Sequence, residues 1–308
     1  MAHCVFIDGA AGTTGIEIAE RLEGREEFDI VRLNEAERKD RDCRRTALNF
    51  ADFVILCLPD DAARDAVSMI EANSKTRIID ASSAHRTGSG WIYGFPELVG
   101  TKAVESARKV SNPGCYPTGF LALVAPLVRA GLLPRSWPYS VHAVSGYSGG
   151  GKALIERFGE ERDIAFRSYG LSLDHKHLPE MQSKAGLDHA PVFSPAVVPA
   201  MRGMIVEVPV PVAAMRNAAS PAVLREELSR YYADAPLVRV HRDNPDELLL
   251  REGAEATDRL DLFVFGGPDE KAARLVAMLD NLGKGASGAA VQSLNLMAGC
   301  DPLAGLRI

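Results

Sequence analysis

The sequence has no apolar run of the ~18 or more residues that a membrane-spanning helix needs. Its N-terminal segment, MAHCVFIDGAAG, lacks the basic start and the long apolar core of a secretory signal. Basic clusters are also lacking, and the net charge of -6 argues against nucleic acid as a partner. We therefore expect a cytoplasmic protein that binds neither membranes nor nucleic acid.

Cysteine is scarce, and its distribution shows no CxxC pair. An odd number of scattered cysteines favours neither a disulfide framework nor a zinc site, so no metal is predicted. The five positions are Cys4, Cys43, Cys57, Cys115 and Cys300. A reducing cytoplasm fits this pattern, and each thiol then needs an explanation in packing or in chemistry.

The pattern of strands and helices changes along the 308 residues, and the length itself suits two domains. Short apolar strands such as CVFI, FDIVRL, FADFVILCLP and TRIIDASS alternate with helical patterns in the first hundred residues, which predicts a parallel sheet with helices on both faces. From about Tyr139 the strands are longer and helices are interspersed. The predicted fold is thus an α/β Rossmann-type dinucleotide domain followed by an α+β catalytic domain with a mostly antiparallel sheet.

A glycine-rich turn, GAAGTTG, follows the first strand and precedes a helical pattern. Gly9, Gly12 and Gly15 form a GxxGxxG variant of the dinucleotide fingerprint. Glycines at such a turn let the backbone approach a pyrophosphate, which rests on the helix N-terminus. The alternative is a plain tight turn, and the strand–turn–helix context favours cofactor binding.

The end of the second strand indicates which dinucleotide is bound. An NAD enzyme often carries an acidic residue at this tip for the ribose 2′-hydroxyl, but here Glu35 is only nearby. Arg32, Arg38 and Lys39 are cations that could pair with a 2′-phosphate. This favours NADP, the alternative being that these side chains form a solvated edge.

The stretch SNPGCYPTG places one cysteine between a Pro-Gly turn and a Tyr-Pro pair, just before the apolar run FLALVAPLV. Pro117 suits the first turn of a helix, which we expect to continue through about Ala130. Cys115 would then lie at the positive end of the helix dipole, where the usual thiol pKa of ~8.5 falls. A small buried thiol is the alternative reading, and it suits Cys4 and Cys57 better. Cys115 is therefore the predicted nucleophile.

A thiolate enzyme also needs an acid/base group, and SLDHKHLPE offers two histidines at a loop-to-helix junction. His175 and His177 are both candidates, and the residues do not decide between them. An HxH pair can also mark a metal site or a solvated surface loop. No further ligand set accompanies it, which disfavours a metal.

An anion site is predicted in VSGYSGGGK, which follows an apolar strand and precedes a helix. Glycine amides and a lysine at a helix start can hold a phosphate. Arg202 lies between two strand-like runs and is suited to a carboxylate or phosphate. The substrate-binding candidates are Ser148, Gly149, Lys152 and Arg202. A flexible strand–helix connection is the alternative.

These segments together resemble the N-acetyl-gamma-glutamyl-phosphate reductase family in its short form (type 2), within the glyceraldehyde-3-phosphate and aspartate-semialdehyde dehydrogenase-like superfamily. The resemblance covers essentially the whole chain. It is carried by GAAGTTG, DASSAHR, SNPGCYPTG, HKHLPE, VVPAMRG and NLGKGASGAAVQSLNLMAG, in that order.

The resemblance implies domain ranges and site residues. It implies a dinucleotide-binding domain of residues 1–114 and 287–308, with a returning C-terminal helix, and a catalytic and oligomerisation domain of residues 115–286. It implies Cys115 as nucleophile and a catalytic histidine from the HxH pair, with His177 favoured over His175. The implied cofactor-binding residues are Gly9, Gly12, Thr13, Thr14, Gly15, Arg32, Ser82, Lys284 and Gly285.

The sequence departs from the family pattern at two places. GGGK stands where a glycine-alanine-glycine-arginine sequence is expected, so Lys152 keeps a charge but lacks the bidentate fork of arginine. The chain is also shorter than the long family form. The missing residues fall after the second strand, where they affect contacts on the adenine side of the cofactor.

The implied activity is NADPH-dependent reduction of N-acetylglutamyl 5-phosphate to N-acetylglutamate 5-semialdehyde and phosphate through a cysteine thioester, in arginine biosynthesis. The expected partner is a small-molecule acyl phosphate, or an analogue linked to a carrier protein. A homo-oligomer, dimer or tetramer, is expected. The alternatives are an aspartate-semialdehyde dehydrogenase-like enzyme and a non-catalytic nucleotide-sensing protein.

Overall fold

The computed structural model describes residues 2–308; residue 1, which the first predicted domain includes, lies outside them. The chain forms two compact units. The first contains the chain up to Pro113 together with Ala286–Leu306. The second contains Gly114–Gly285 and Arg307–Ile308.

The elements alternate regularly in the first unit. In chain order they are β1 (His3–Asp8), α1 (Thr13–Leu22), β2 (Phe28–Val31), α2 (Arg41–Phe50), β3 (Phe53–Leu56), α3 (Asp60–Met69), β4 (Arg77–Asp80), β5 (Ile92–Tyr93), α4 (Pro96–Val99), α5 (Thr101–Glu105) and β6 (Lys109–Ser111).

The second unit has longer strands. Its elements are α6 (Cys115–Arg129), β7 (Ser140–Gly146), α7 (Gly151–Glu160), β8 (Arg167–Ser168), α8 (Leu178–Ala185), β9 (Val192–Val198), β10 (Met204–Val210), α9 (Pro221–Tyr231), β11 (Val238–Val240), β12 (Leu260–Gly266) and β13 (Ala273–Leu279). A single π-helical turn, Gly283–Ser287, follows, and α10 (Gly288–Ala298) belongs to the first unit.

The sheet of the first unit has the strand order β2-β1-β3-β4-β6-β5, and all neighbouring strands within the described chain run parallel. Successive residues of β1 point to opposite faces. Val5 belongs to a buried cluster with residues of α1 and α10, whereas Phe6 belongs to another with residues of α2 and α3. Helices therefore cover both faces, which confirms the predicted parallel α/β sheet.

Helix α2 was not predicted, and its sequence explains why. The segment RDCRRTALNF is mostly polar, and just two of its residues, Ala47 and Leu48, are fully buried. Asp40 caps the helix by accepting hydrogen bonds from the backbone N–H groups of Asp42 and Cys43. A good N-cap therefore starts a helix whose apolar stripe is too narrow to show as periodicity.

The sheet of the second unit is mixed. Its order is β11-β12-β13-β10-β7-β9-β8 among the described residues. The β7–β9 and β11–β12 pairs are parallel, and the other neighbours are antiparallel. The predicted description as mostly antiparallel is not confirmed, because apolar alternation along a strand does not report the direction of its neighbours.

Helix α6 lies directly against this sheet. A Cβ atom at Gly119 would be 2.8 Å from a methyl carbon of Val206 and 3.3 Å from Cβ of Ala277. Its residues from Tyr116 to Leu127 are buried, and a helix that is apolar all round is a core helix. The helix that starts at Cys115 is therefore rigidly held, and the position of its first turn is fixed by the packing of the rest.

Candidate active site

Cys115 is the first residue of α6, at the helix end that the sequence predicts. Gly114 caps the helix with extended backbone (φ -72°, ψ 149°) and offers no side chain to the first-turn amides. Backbone N–H groups that lack a helical acceptor carry the positive end of the dipole. The Cys115 side chain is partly exposed. Backbone amides at such a helix end favour a negative charge on a nearby side chain.

The turn before Cys115 is held by a carboxylate. The backbone N–H of Gly114 donates a 2.9 Å hydrogen bond to Oε1 of Glu180, a residue with 1% of its surface exposed. Glu180 lies in the first turn of α8, directly after the HxH pair. The sequence alone gives Glu180 no role beyond its place in the segment SLDHKHLPE. A hydrogen bond between residues 66 positions apart produces no local pattern in the sequence.

The two histidines differ in burial. His177 is the N-cap residue of α8 and is buried, and its backbone N–H donates to Nδ1 of His175 at 3.2 Å. The ring centroids are 4.7 Å apart. Burial, with a smaller contribution from Lys176, lowers the pKa of His175 from 6.5 to about 4. His175 is therefore neutral at pH 7, with its proton on Nε2.

Two tyrosines surround the histidines. The Tyr116 ring lies 6.0 Å from that of His177 and 6.2 Å from that of His175. Tyr116 donates a 3.1 Å hydrogen bond to the Ala196 carbonyl, and the Tyr169 hydroxyl donates to the Tyr116 oxygen at 3.2 Å. Burial raises the pKa of Tyr169 to about 12, so its hydroxyl stays protonated. Sequence reasoning missed Tyr169, which pairs with Tyr116 across 53 residues.

Gly285 packs against Cys115. A Cβ atom at Gly285 would lie 2.9 Å from Cβ and 3.3 Å from Cα of Cys115. The Gly285 N–H donates to the Asp280 carbonyl at 3.0 Å within the π-helical turn. The neighbouring Lys284 is 1% exposed. A helical turn thus places Gly285 beside Cys115.

Two predicted substrate-binding residues, Arg202 and Ser148, contact the segment that precedes the π-helical turn. Arg202 forms a 2.9 Å ion pair with Asp280, whose side chain is 2% exposed. Ser148 is buried and accepts a 2.9 Å hydrogen bond from Nδ2 of Asn281, whose Oδ1 accepts from the Gly203 N–H. These contacts link the two candidates through neighbouring residues.

The other two candidates lie on the surface. Gly149 is exposed within a 3-10 turn that precedes α7. The Lys152 side chain is 81% exposed and lies 3.7 Å from the Glu156 carboxylate. An exposed ion pair of this kind is weak. The Lys152 side chain is therefore able to leave Glu156 for an anion.

The glycine turn after β1 fits a dinucleotide pyrophosphate. Gly9 has φ +93°, and a Cβ atom there would collide with the Cys57 carbonyl. At Gly15 it would lie 2.5 Å from the Gly9 carbonyl oxygen, whereas at Gly12 the nearest atom is 3.5 Å away. Gly12 caps α1 without a side chain, so the amides of Thr13 and Thr14 face an open cradle.

The remaining cofactor candidates have partners within the protein. The Arg32 side chain is 69% exposed and lies 3.5 Å from Glu23. The Ser82 hydroxyl donates a 2.8 Å hydrogen bond to the buried Asp80 carboxylate. Arg32 is thus available to a phosphate, whereas Ser82 is committed to Asp80.

Two features are absent from residues 2–308. They contain no group of three or more His, Cys, Asp or Glu side chains arranged to hold a metal ion. In the same range, no helix is long and apolar enough to cross a membrane.

Family models match both units. Residues 4–107 match the NAD binding domain of semialdehyde dehydrogenase, and residues 115–281 match the dimerisation domain of semialdehyde dehydrogenase. Solved structures with similar folds include aspartate semialdehyde dehydrogenase II from Vibrio cholerae, complexed with ASA. Its TM-score is 0.70 at 16% identity, and the match covers 97% of this chain and 99% of that one.

A second similar structure is aspartate semialdehyde dehydrogenase with NADP from Candida albicans, with a TM-score of 0.65 and 15% identity over 96% of this chain and 98% of that one. At such low identities these structures show the fold alone.

Curated relatives are much more similar in sequence. N-acetyl-gamma-glutamyl-phosphate reductase 2 of Nostoc sp. is 46% identical, with 98% of each chain covered. N-acetyl-gamma-glutamyl-phosphate reductase of Brucella ovis is 48% identical over 96% of this chain and 98% of that one. With this identity over nearly the full length, and with both domain models matched, the chain belongs to the N-acetyl-gamma-glutamyl-phosphate reductase family of semialdehyde dehydrogenase-like proteins.

Proposed function

We propose that the protein reduces N-acetylglutamyl 5-phosphate to N-acetylglutamate 5-semialdehyde and phosphate, with NADPH as reductant, in arginine biosynthesis. The observation that carries the proposal is the bond between Gly114 and Glu180. This hydrogen bond connects the turn before Cys115, the first residue of α6, to α8, whose N-cap residue is His177. A nucleophile and an acid/base group are thereby held on two tied elements.

The first step is acyl transfer to sulfur. The Cys115 thiolate attacks the carbonyl carbon, the carbon–oxygen bond to the phosphate breaks, and inorganic phosphate leaves. Arg202, Ser148, the Gly149 amide and Lys152 are the proposed groups for the substrate's anionic ends. The product is a thioester on Cys115, which keeps the acyl group anchored while presenting a carbonyl that accepts hydride.

The second step needs a proton at the former carbonyl oxygen. The nicotinamide, when bound, supplies a hydride to the thioester carbon. We assign the proton transfer to His177. His175, with a pKa of about 4, is neutral at pH 7 and accepts the His177 N–H, which suits it to positioning. The hydroxyl proton returns to His177 as the thiohemiacetal collapses, the carbon–sulfur bond breaks, and the aldehyde leaves with the thiolate restored.

The cofactor domain and the oligomer follow from the same assignment. The match to an NAD binding domain covers residues 4–107, and the open Gly12 cradle fits its pyrophosphate. We propose NADP over NAD, with exposed Arg32 as the 2′-phosphate contact.

The match to a dimerisation domain supports a homo-oligomer, a dimer or tetramer. We place the protein in the cytoplasm.

The test is phosphate-dependent reduction of NADP⁺ by N-acetylglutamate 5-semialdehyde, run beside aspartate semialdehyde and beside NAD⁺. We expect rates with the acetylated aldehyde and NADP⁺ to exceed the others by at least about 100-fold. Cys115→Ser should lower kcat by a factor of about 1,000 or more with unchanged NADPH affinity. Equal rates with aspartate semialdehyde, or a Cys115→Ser variant of near wild-type rate, would contradict the proposal.

The histidine assignment has its own test. His177→Asn should lower kcat by about 100- to 10,000-fold, the usual range for losing an acid/base group. Asn at position 175 places an acceptor near the position of Nδ1, so His175→Asn should keep most of the rate. The reverse order of the two losses would move the assignment to His175.

A further inference from the structure

The imidazole of His85 lies in the first unit, in the connection that follows β4. Its Nδ1 is 2.6 Å from Oδ2 of Asp80, the last residue of that strand, which is fully buried. An ionised carboxylate can only accept hydrogen bonds, so Nδ1 carries the proton. In the neutral imidazole the other ring nitrogen, Nε2, presents a lone pair.

Asp80 is itself immobilised. Its Oδ1 accepts the Ser82 backbone N–H at 2.9 Å, and its Oδ2 accepts the Ser82 hydroxyl at 2.8 Å. Both oxygens are therefore occupied by donors from a residue two positions away. Ser82 is predicted as a cofactor ligand. In the structure its N–H and hydroxyl instead donate to Asp80 and hold that carboxylate in one orientation.

The His85 ring is fixed from its other side as well. It stacks on Trp91 with ring centroids 4.2 Å apart and an interplanar angle of 18°. The connection is tied to two other segments of the unit. Ser83 donates from its N–H and hydroxyl to Asp60, the first residue of α3, and Arg86 donates from Nε to the carbonyl of Asn112, which follows β6. Such a ring is pre-organised for a contact that its Nε2 would make.

The position in the sheet indicates what that contact is. In a parallel sheet of this type the dinucleotide lies outside the carboxyl ends of the strands and crosses where the strand order reverses. Here the order reverses at β1, with β2 on one side and β3 and β4 on the other. The glycine turn after β1 holds the pyrophosphate, so the adenosine half extends towards β2 and the nicotinamide half towards β4. His85 lies in the connection after β4, five positions beyond Asp80.

Nε2 of His85 makes no hydrogen bond with any residue in the described range 2–308. The side chain is 16% exposed, so the ring reaches the surface of its unit while being held by Asp80. An acceptor nitrogen in this position matches a sugar hydroxyl better than a phosphate, which brings no hydrogen of its own at neutral pH.

We propose that Nε2 of His85, oriented by Asp80 and Trp91, accepts a hydrogen bond from a ribose hydroxyl on the nicotinamide side of the bound dinucleotide. The inference rests on the proposed function, because the proposed function supplies NADP as the cofactor. It makes His85 a cofactor-binding residue and Asp80 a positioning residue.

The test is calorimetric titration of the full-length protein with NADP⁺ and, separately, with 2′,5′-ADP, which lacks the nicotinamide half. His85→Ala should weaken NADP⁺ binding by about 5- to 10-fold, the loss expected for one hydrogen bond. Binding of 2′,5′-ADP should be unchanged. His85→Gln, whose amide reaches the position of Nε2, should recover most of the affinity, and exposed His189 provides the control His189→Ala.

Asp80→Asn tests the orientation. An amide at this position donates to Nδ1, which moves the ring proton to Nε2 and removes the acceptor, so NADP⁺ affinity should fall as in His85→Ala. Thermal unfolding without ligand checks that each variant is folded. If this buried substitution prevents folding, the comparison of His85→Ala with His85→Gln decides.

Equal NADP⁺ affinity of His85→Ala and the wild type would overturn the inference, as would an equal loss for 2′,5′-ADP. The titrations contain no acyl phosphate, so they are independent of the substrate assignment. A wild type that binds neither probe would contradict the NADP assignment of the proposed function, whereas a wild type that binds NADP⁺ no better than His85→Ala contradicts the His85 contact alone.

Discussion

The backbone N–H of Gly114 and the Glu180 carboxylate, 2.9 Å apart, connect the turn before Cys115 to the first turn of α8. Gly114 is the N-cap residue of the cysteine helix, and His177 is the N-cap residue of α8. One hydrogen bond thus joins the two helix starts that carry the proposed nucleophile and the proposed acid/base group.

Removing this acceptor should lower the rate without removing any reacting group. In Glu180→Ala the buried Gly114 N–H is left unpaired, and we expect kcat to fall by about 10- to 100-fold as the Cys115 turn shifts. Glu180→Gln retains a carbonyl oxygen that accepts the same N–H and should recover most of the rate. Steady-state kinetics measure both, with exposed Glu226→Ala as the control. Equal losses in the Ala and Gln variants would show that the charge, and not the hydrogen bond, is required.

The depressed pKa of His175 predicts an acid-sensitive contribution to stability. Its pKa is about 4 in the folded protein and 6.5 in the reference state, mainly because of burial. Between these values the unfolded chain binds the extra proton, so stability falls as pH decreases from 6.5 towards 4. We expect a loss of about 1–2 kcal/mol from this residue, reduced from the full linkage value because the ring is partly exposed.

Urea unfolding of the wild type and His175→Asn at several pH values between 4 and 7 measures this contribution. The variant cannot bind the proton, so the free energy of unfolding of the wild type should decrease more steeply than that of the variant as pH falls. Parallel curves would mean that His175 does not titrate in this window.

The contact between Gly285 and Cys115 predicts a position-specific effect of one methyl group. In Gly285→Ala the new Cβ would lie 2.9 Å from Cβ of Cys115, so one of the two elements has to move. We expect kcat to fall by about 10-fold or more and stability by about 1–3 kcal/mol. Gly253→Ala is the matched control, since nothing lies within 4 Å of its Cβ position. Unchanged kinetics for Gly285→Ala would contradict the contact.

The glycine turn should separate stability from cofactor binding. Gly9 has φ +93° and faces the Cys57 carbonyl, so Gly9→Ala should destabilise the fold by about 2 kcal/mol or more. Gly12→Ala leaves 3.5 Å to the nearest atom and should preserve the melting temperature. Its methyl group enters the cradle, however, and should weaken NADPH binding by about 10-fold. Thermal unfolding and NADPH titration of both variants measure the two effects, and a similar melting loss in both would contradict the open cradle.

Local chemistry was sufficient to predict the elements that carry the site. The Pro-Gly turn before Cys115 and the apolar run after it predict a helix, which is observed over Cys115–Arg129. The alternation of strands with helices in the first hundred residues predicts helices on both faces of the sheet, and Val5 and Phe6 of β1 do belong to two different buried clusters. In each case the physical cause acts within a few residues, so the sequence pattern carries it.

Contacts between distant segments could not be predicted in this way. Tyr169 meets Tyr116 across 53 residues, and Glu180 meets Gly114 across 66. The parallel pairing of β7 with β9 likewise depends on how the chain crosses the sheet, which strand patterns do not encode. The sequence pattern likewise does not show that both Ser82 and His85 form hydrogen bonds with Asp80.

The return of α10 to the first unit has a consequence for the order of folding during synthesis. Val291 and Leu294 of this helix complete the cluster that contains Val5 and Ile7 of β1. A ribosome makes β1 first and α10 more than 280 residues later. One apolar side of the cofactor-binding sheet therefore lacks part of its cover throughout elongation, and this unit reaches its native core only after translation of α10.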